Sequence, residues 1–243
     1  MKFYDPMPLS DATRELLGQV ATATLSSQLV KRGLRSTYMQ TPRPLNPKAA
    51  RFVGPAYTVR MVPAREDITE LAFITDPEFP HRKVIEATPP GHVAVFDCRG
   101  DTRGGIVGDI LVERLRVRGV AGLCTDGAVR DSAAVSQQDF PVFCADVTAP
   151  YSMIVHQALD DQQPIACGGV TVLPGDILIG DIEGVIVIPS PLADEIAEGA
   201  ADQEHLESYI FEKVSEGGSI NDLYPPSETA MADYERWKKE RGD

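Results

Sequence analysis

Leu16, Leu17, Val20, Leu25, Leu29 and Val30 recur at near-helical spacing through ATRELLGQVATATLSSQLVKRG, which predicts an amphipathic helix, or two helices broken near Gly18. Ser10 and Asp11 offer a cap at its start, and Gly33 stops the pattern. The period then shortens. FVGPAYTVRMVP predicts a strand pair of β-branched and apolar residues interrupted at Gly54-Pro55. EDITELAFI and HRKVIEA predict short helices, and Pro89-Pro90-Gly91 a turn before the strand HVAVFDC.

From residue 104 the chain predicts a glycine loop, a helix over 109–118, the strand VAGLCT, a turn at Asp126-Gly127 and a short helix starting at Arg130-Asp131. FPVFCADV is the next strand. This strand, helix, strand rhythm implies an α/β layer with at least partly parallel strands. GGVTVLPGDILIGDIEGVIVIP changes character: Pro174-Gly175-Asp176 and Ile182-Glu183-Gly184 separate three β-rich runs, the signature of an antiparallel meander. Helical spacing returns from Pro191 through LADEIAEGAADQEHLESYIFEKVSEGG, and YERWKKERGD predicts a charged helical tail. No repeat or Gly/Ser/Pro-rich linker divides the 243 residues, so one domain is expected, with a core over about 20–217 and a tail over 218–243.

Composition narrows the partners. With 43% hydrophobic and 24% charged residues the chain has the balance of a globular protein, and a net charge of -13 repels phosphate backbones and anionic lipid. Nucleic acid and membrane are therefore poor partners. The opening MKFYDPMPLSDATREL lacks the basic end and apolar run of a signal peptide, and a cytoplasmic location is expected. Cys98, Cys124, Cys144 and Cys167 are far apart and mostly in strand-like apolar surroundings, which predicts buried free thiols. His81, His92, His156 and His205 are equally scattered and form no recognisable catalytic order.

The stretch GGIVGDILVERLRVRGVAGLCTDGAVRD carries the densest chemistry. Gly104, Gly105 and Gly108 let backbone N–H groups approach a ligand, and the helix after them adds the positive end of its dipole, a combination that suits a carboxylate. They spell neither a P-loop nor a dinucleotide fingerprint. Asp109 and Asp131 each stand where an acid also serves a helix start. Arg130 lies at a strand-to-helix junction, the side of an α/β sheet where ligands bind. Two acids and a guanidinium at such junctions suit a divalent cation and an oxyanion.

Asp109-x20-Arg130-Asp131 with Gly105 and Gly108 ahead of it resembles the signature of the class II 4-hydroxy-4-methyl-2-oxoglutarate / 4-carboxy-4-hydroxy-2-oxoadipate aldolases, a family that includes the regulator of ribonuclease activity A. VGPAYTVR, PPGHVAVFD, GVAGLCTDGAVRD, FPVFCADVTAP and VLPGDILIGDIEGVIVIP extend the resemblance over roughly residues 20–217. It implies an α/β fold of the swivelling β/β/α kind, a mixed sheet plus antiparallel strands flanked by helices, here with extra N- and C-terminal helices. It implies trimers or pairs of trimers with sites between subunits, and a 2-keto acid as the small-molecule substrate. By that resemblance Asp131 ligates Mg²⁺ or Mn²⁺, Asp109 holds a water of the cation, and Arg130 contacts the substrate. Backbone amides of Gly108, Asp109, Ile110 and Leu111 receive the keto acid's carboxylate, and Glu204 or Glu207 reaches the site of a neighbouring subunit.

The implied activity is retro-aldol cleavage of a 4-hydroxy-2-keto acid to pyruvate or a related 2-keto acid, with decarboxylation of oxaloacetate as a side activity. The alternative is a non-catalytic regulator that binds an RNA-degrading enzyme. In that branch the residue after the arginine is not an aspartate, so Asp131 favours the enzyme. VPAREDITELAF and the tail do not follow the family pattern. Arg65, Glu66, Asp67, Arg99 and Arg103 are read first as solvated surface and second as contacts to a substrate's distal end.

Overall fold

The structure is a computed structural model and describes residues 3–68 and 79–241. Most of the predicted EDITELAFI helix therefore lies outside the described residues. Two helices begin the chain, α1 (Asp11–Gln19) and α2 (Thr22–Lys31). Ser10 Oγ accepts the Thr13 backbone N–H at 3.0 Å and starts α1 as a capping oxygen should. The break falls just past Gly18, at Val20-Ala21, where partners from elsewhere in the chain start α2. Glu204 Oε1 accepts from Ala21 N–H at 2.9 Å, and the Asp181 carboxylate accepts from Thr22 N–H and Oγ1 at 2.7 and 2.8 Å.

The strands and helices that follow are β1 (Arg43–Pro44), β2 (Phe52–Pro63), α3 (Pro80–Ala87), β3 (Val93–Asp97), α4 (Asp109–Val117) and β4 (Gly122–Thr125). After these come β5 (Ala128–Val129), α5 (Ser132–Val135), β6 (Val142–Cys144), β7 (Asp146–Val147) and β8 (His156–Asp161). The chain closes with β9 (Ile165–Cys167), β10 (Val170–Val172), β11 (Ile177–Asp181), β12 (Gly184–Ile188), α6 (Ala193–Ser215), α7 (Ile220–Leu223) and α8 (Glu228–Arg241).

One mixed sheet in the order β1-β6-β4-β3-β2-β11-β12, with β8 also paired to β2, forms the centre. β2, β3, β4 and β6 run parallel, and their side chains alternate between two cores. Ala94, Phe96 and Leu123 face α3 and α4, while Val93, Val95 and Cys124 face Phe52, Phe143 and the β9–β10 ribbon. Burial on both faces is why these strands are nearly all apolar. α1, α2 and the first half of α6 cover β11 and β12 through Leu17, Leu25, Leu29 and Ile196. This is the α/β arrangement expected, a mixed sheet flanked by helices.

Four local expectations are corrected. FVGPAYTVRMVP is one strand, not a pair. Residues 52–55 pair with β11 and pairing to β3 begins only at Ala56, so the missing N–H of Pro55 removes no bond to β3. FPVFCADV divides into β6 and β7, because β7 leaves the main sheet to pair with β5. The predicted meander is broken as well: β10 pairs with β9 in a separate ribbon, and only β11 and β12 are neighbours. The helix after Arg130 begins at Ser132.

All four cysteines are free and buried, as expected. No helix of the described residues is long and apolar enough to cross a membrane. The tail is helical, as expected, and carries its own small core. Tyr209 and Ile210 from the second half of α6 pack with Leu223, Ala230 and Tyr234, and Trp237 lies partly buried against them.

Candidate functional site

The loops that leave the carboxyl ends of β3, β4 and β6 meet at one edge of the sheet, the usual ligand edge of parallel α/β sheets. Gly105 N–H donates to Pro150 O at 2.8 Å, Ile106 N–H to Ala128 O at 2.9 Å and Arg130 N–H to Val107 O at 3.0 Å. These bonds lay the glycine loop directly on the Arg130-Asp131 turn. A Cβ on Gly105 would stand 2.8 Å from both Arg130 N and Arg130 Cβ, and one on Gly108 would stand 2.3 Å from Asp131 Oδ2. Glycine is needed at both places for close approach.

Asp131 adopts φ 54° and ψ 35°, the left-handed region. A non-glycine residue there costs on the order of 1 kcal/mol and persists only where its surroundings demand it. Its side chain makes no capping bond to α5 although it stands at the capping position. The carboxylate is instead half-exposed beside Arg130, whose Nε lies 3.2 Å from Asp131 Oδ2 in an ion pair that completes no hydrogen bond. Asp109 opens α4, and its Oδ1 accepts from Ile110 N–H at 2.8 Å. The other amides of that first turn have no acceptor within the helix.

Gly108, Asp109, Ile110, Leu111, Arg130 and Asp131 all line one cleft of about 400 Å³, walled on its far side by Phe79, His81 and the Tyr151–Met153 turn. Asp109, Arg130 and Asp131 also border a second, more open hollow of about 650 Å³ on the α5 side. The structure thus brings these six residues, with Gly105, to one cleft within one chain, whereas Gly104 does not line it. Glu204 and Glu207 are not among them: Glu204 caps α2, and Glu207 Oε1 accepts from Gln203 at 2.8 Å. Arg65 pairs with Asp67 and Arg103 with Asp101 at the surface, and neither Arg99 nor Glu66 lines the cleft.

Sequence reasoning missed His81 and Ser152. His81 is buried at the start of α3, and burial, followed by the nearby His156, lowers its pKa from 6.5 to about 4 against a hydrogen bond to the Ile106 backbone. His156 is also shifted down, chiefly by burial and then by Arg99. Only the helical pattern of HRKVIEA, which turns position 81 inward with Val84 and Ile85, carried any signal of this.

A hard divalent cation fits the donors present. The cleft offers two carboxylates, and among the described residues no three His, Cys, Asp or Glu side chains converge as round a protein-enclosed ion. Mg²⁺ commonly keeps several waters and binds through one or two carboxylates plus oxygens of a ligand. That is the kind of ion such a set suits; a tetrahedral zinc site is not.

Comparison with known proteins identifies the family. A "Putative 4-hydroxy-4-methyl-2-oxoglutarate aldolase" of Halalkalibacterium halodurans is 34% identical over 178 residues, 72% of this chain and 78% of that protein. Streptomyces coelicolor RraAS2, described as an unusual member of the RNase ES inhibitor RraA protein family, has a similar structure. Its TM-score is 0.73 at 31% identity, covering 84% of this chain and 97% of that one. An uncharacterized protein from Pseudomonas syringae pv. tomato gives a TM-score of 0.77 at 25% identity, over 90% and 99% of the two chains. The profile of the family described as RraA-like: Aldolase/RraA matches residues 22–187, which span the sheet, the glycine loop and the Arg130-Asp131 turn. The chain belongs to the RraA-like (Aldolase/RraA) family.

Proposed function

We propose that the chain is a divalent-metal-dependent aldolase that cleaves a 4-hydroxy-2-keto acid to pyruvate or a related 2-keto acid, with oxaloacetate decarboxylation as a side activity. The observation that carries this reading is the Asp131 carboxylate: held in a costly backbone conformation, free of any capping duty and paired loosely with Arg130 at a cleft. Structure alone does not need that arrangement.

Asp131 is the residue that would hold Mg²⁺ or Mn²⁺, and Asp109 would act on it at one remove. When bound, such a cation supplies an electron sink for an enolate. The chain's own groups do the rest. Backbone amides of the first turn between Gly108 and Leu111 receive the substrate's C1 carboxylate at the positive end of α4. Arg130 directs its guanidinium at the C2 oxygen, where negative charge gathers as the C3–C4 bond breaks, and loss of such a contact costs on the order of a hundredfold or more in rate. The 4-hydroxyl gives up its proton to a water oriented by the Asp109 carboxylate. The C4–O bond then becomes a carbonyl, the C3–C4 electrons pass into the C2–C3 enolate, and a proton returned to C3 completes the 2-keto acid. Loss of carbon dioxide from oxaloacetate passes through the same enolate.

The assembly belongs to this reading too: a trimer or a pair of trimers, with Glu207 rather than the α2-capping Glu204 extended to the neighbour's cleft. The full chain is assayed for pyruvate release from oxaloacetate with and without EDTA, and then against a panel of 4-hydroxy-2-keto acids. Turnover that EDTA abolishes and Mg²⁺ restores is expected, with Asp131→Ala at least a hundredfold slower and folded as judged by circular dichroism. Metal-independent turnover, or full activity in Asp131→Ala, refutes the reading. The 31% identity to RraAS2 over 84% of this chain supports a second reading, a regulator docking on an RNA-degrading enzyme. That reading expects tight binding to such an enzyme and no turnover.

A further inference from the structure

Buried polar atoms in native proteins nearly always have a partner, so those without one ask for an explanation. Among the described residues, eight buried side-chain atoms lack one, and three of the eight belong to residues lining the same cleft: His81 Nε2, Arg130 Nε and Ser152 Oγ. Arg130 Nε belongs to the chemistry already assigned. His81 and Ser152 do not: the ring of His81 is bonded to the Ile106 backbone, yet its Nε2 and Ser152 Oγ are left without a partner.

We propose that His81 and Ser152 form a subsite for a hydroxyl group on the fragment that departs from the keto acid, so that the substrate's distal end is a neutral hydroxylated chain rather than a carboxylate. The inference rests on the aldolase reading for the orientation of the ligand. Its chemistry comes from the two side chains themselves. His81 is neutral across the ordinary pH range, and its hydrogen bond to the Ile106 backbone leaves one nitrogen as a bare lone pair, an acceptor only. Ser152 Oγ both donates and accepts. An alcohol satisfies the pair, giving its proton to His81 Nε2 and taking one from Ser152. A carboxylate sets its own lone pairs against the imidazole nitrogen and finds a single donor. Arg82, which also lines the cleft, already has a partner.

Position agrees with this division. Asp131 lies against Gly108, whereas His81 is bonded at Ile106, two residues earlier on the same loop. Two residues reach at most about 7 Å, a span suited to a five- or six-carbon keto acid held by its carboxylate end at α4. Phe79 and Met153 line the same cleft and give it apolar surface beside the two polar side chains.

Two uncleavable ligands isolate the subsite from turnover: 5-hydroxy-2-oxopentanoate and 2-oxoglutarate, which differ only in a terminal hydroxymethyl group against a carboxylate. Their binding to the full chain with Mg²⁺ is compared by calorimetry for wild type, Ser152→Ala and His81→Phe. The hydroxylated ligand should bind at least tenfold more tightly to wild type, and either substitution should erase most of that ratio while pyruvate, which lacks the distal group, changes less. Ser152→Ala keeps the test sound if His81→Phe does not fold. Equal or inverted affinities in wild type, or a ratio untouched by Ser152→Ala, overturns the proposal. Failure of the aldolase reading shows elsewhere, as absent EDTA-sensitive turnover of oxaloacetate, and this binding comparison still decides the subsite.

Discussion

Replacing Gly108 by alanine tests the central geometry with one methyl group. The added carbon falls 2.3 Å from Asp131 Oδ2 and 3.3 Å from Arg130 Cγ, while Gly108 itself has φ -119°, ordinary extended backbone. Non-bonded heavy atoms settle at roughly 3.5 Å, so the carboxylate must retreat by about 1 Å. It is the end of a half-exposed side chain and has room to do so. Stability should therefore change by no more than about 0.5 kcal/mol. A displacement of about 1 Å at a reacting site costs about a hundredfold in rate, which is about 2.7 kcal/mol of barrier. Gly105→Ala supplies the contrast: its methyl meets Arg130 N and Cβ at 2.8 Å, backbone that has nowhere to go. Overpacking of that kind costs about 1–3 kcal/mol of stability, a fall of several degrees in Tm for a chain of this size. Thermal melts and Mg²⁺-dependent pyruvate release from oxaloacetate read the two effects separately. A Gly108→Ala protein with wild-type rate, or one destabilised as much as Gly105→Ala, would refute the reasoning.

His81 predicts a pH dependence: its folded pKa of about 4 lies below the ordinary 6.5, so the unfolded chain takes up a proton that the folded chain refuses. Stability from this group is complete above about pH 6.5 and falls with pH, by ~2 kcal/mol at pH 5; urea melts of wild type and His81→Gln at pH 7 and 5 should show the variant losing less, and equal losses would remove buried His81 as the cause. Asp181 accepts Thr22 N–H, Thr22 Oγ1 and Glu183 N–H beside Arg51, so Asp181→Ala should cost roughly 2–4 kcal/mol in a denaturant melt by stranding those donors. A loss below about 1 kcal/mol would show that the start of α2 is held by other means.

The sequence disclosed elements wherever one periodicity ran uninterrupted, as in HVAVFDC, DILVERLRV and the long run of α6. It misled where a local rule met a nonlocal partner. Pro55 reads as a strand breaker, yet β2 runs through it because the neighbouring strand begins one residue later. The separation of β10 from β11 depends on β2 competing for the same edge, which no local pattern encodes. In the candidate site, Asp109, Arg130 and Asp131 were legible because each sits at a strand-to-helix junction that the pattern itself marks. The left-handed backbone of Asp131 was not, since aspartate is common at such starts for blander reasons. His81 and Ser152 were silent because they enter the cleft from α3 and from the turn before β8, segments that only the folded sheet brings beside the glycine loop.

The small aromatic core at the end of α6 has a consequence for spectroscopy. Trp237, the chain's single tryptophan, packs there against Tyr209 and Tyr234, whereas the sheet's cores hold aliphatic side chains, phenylalanine and Tyr57 but no indole. Indole fluorescence is thus a reporter stationed in an annex. It registers the loosening of α8 from α6, and ellipticity registers the whole molecule. Regions with separate cores open with separate free energies, so unfolding curves from the two signals can part company without any intermediate in the sheet, and their mismatch measures the independence of the annex.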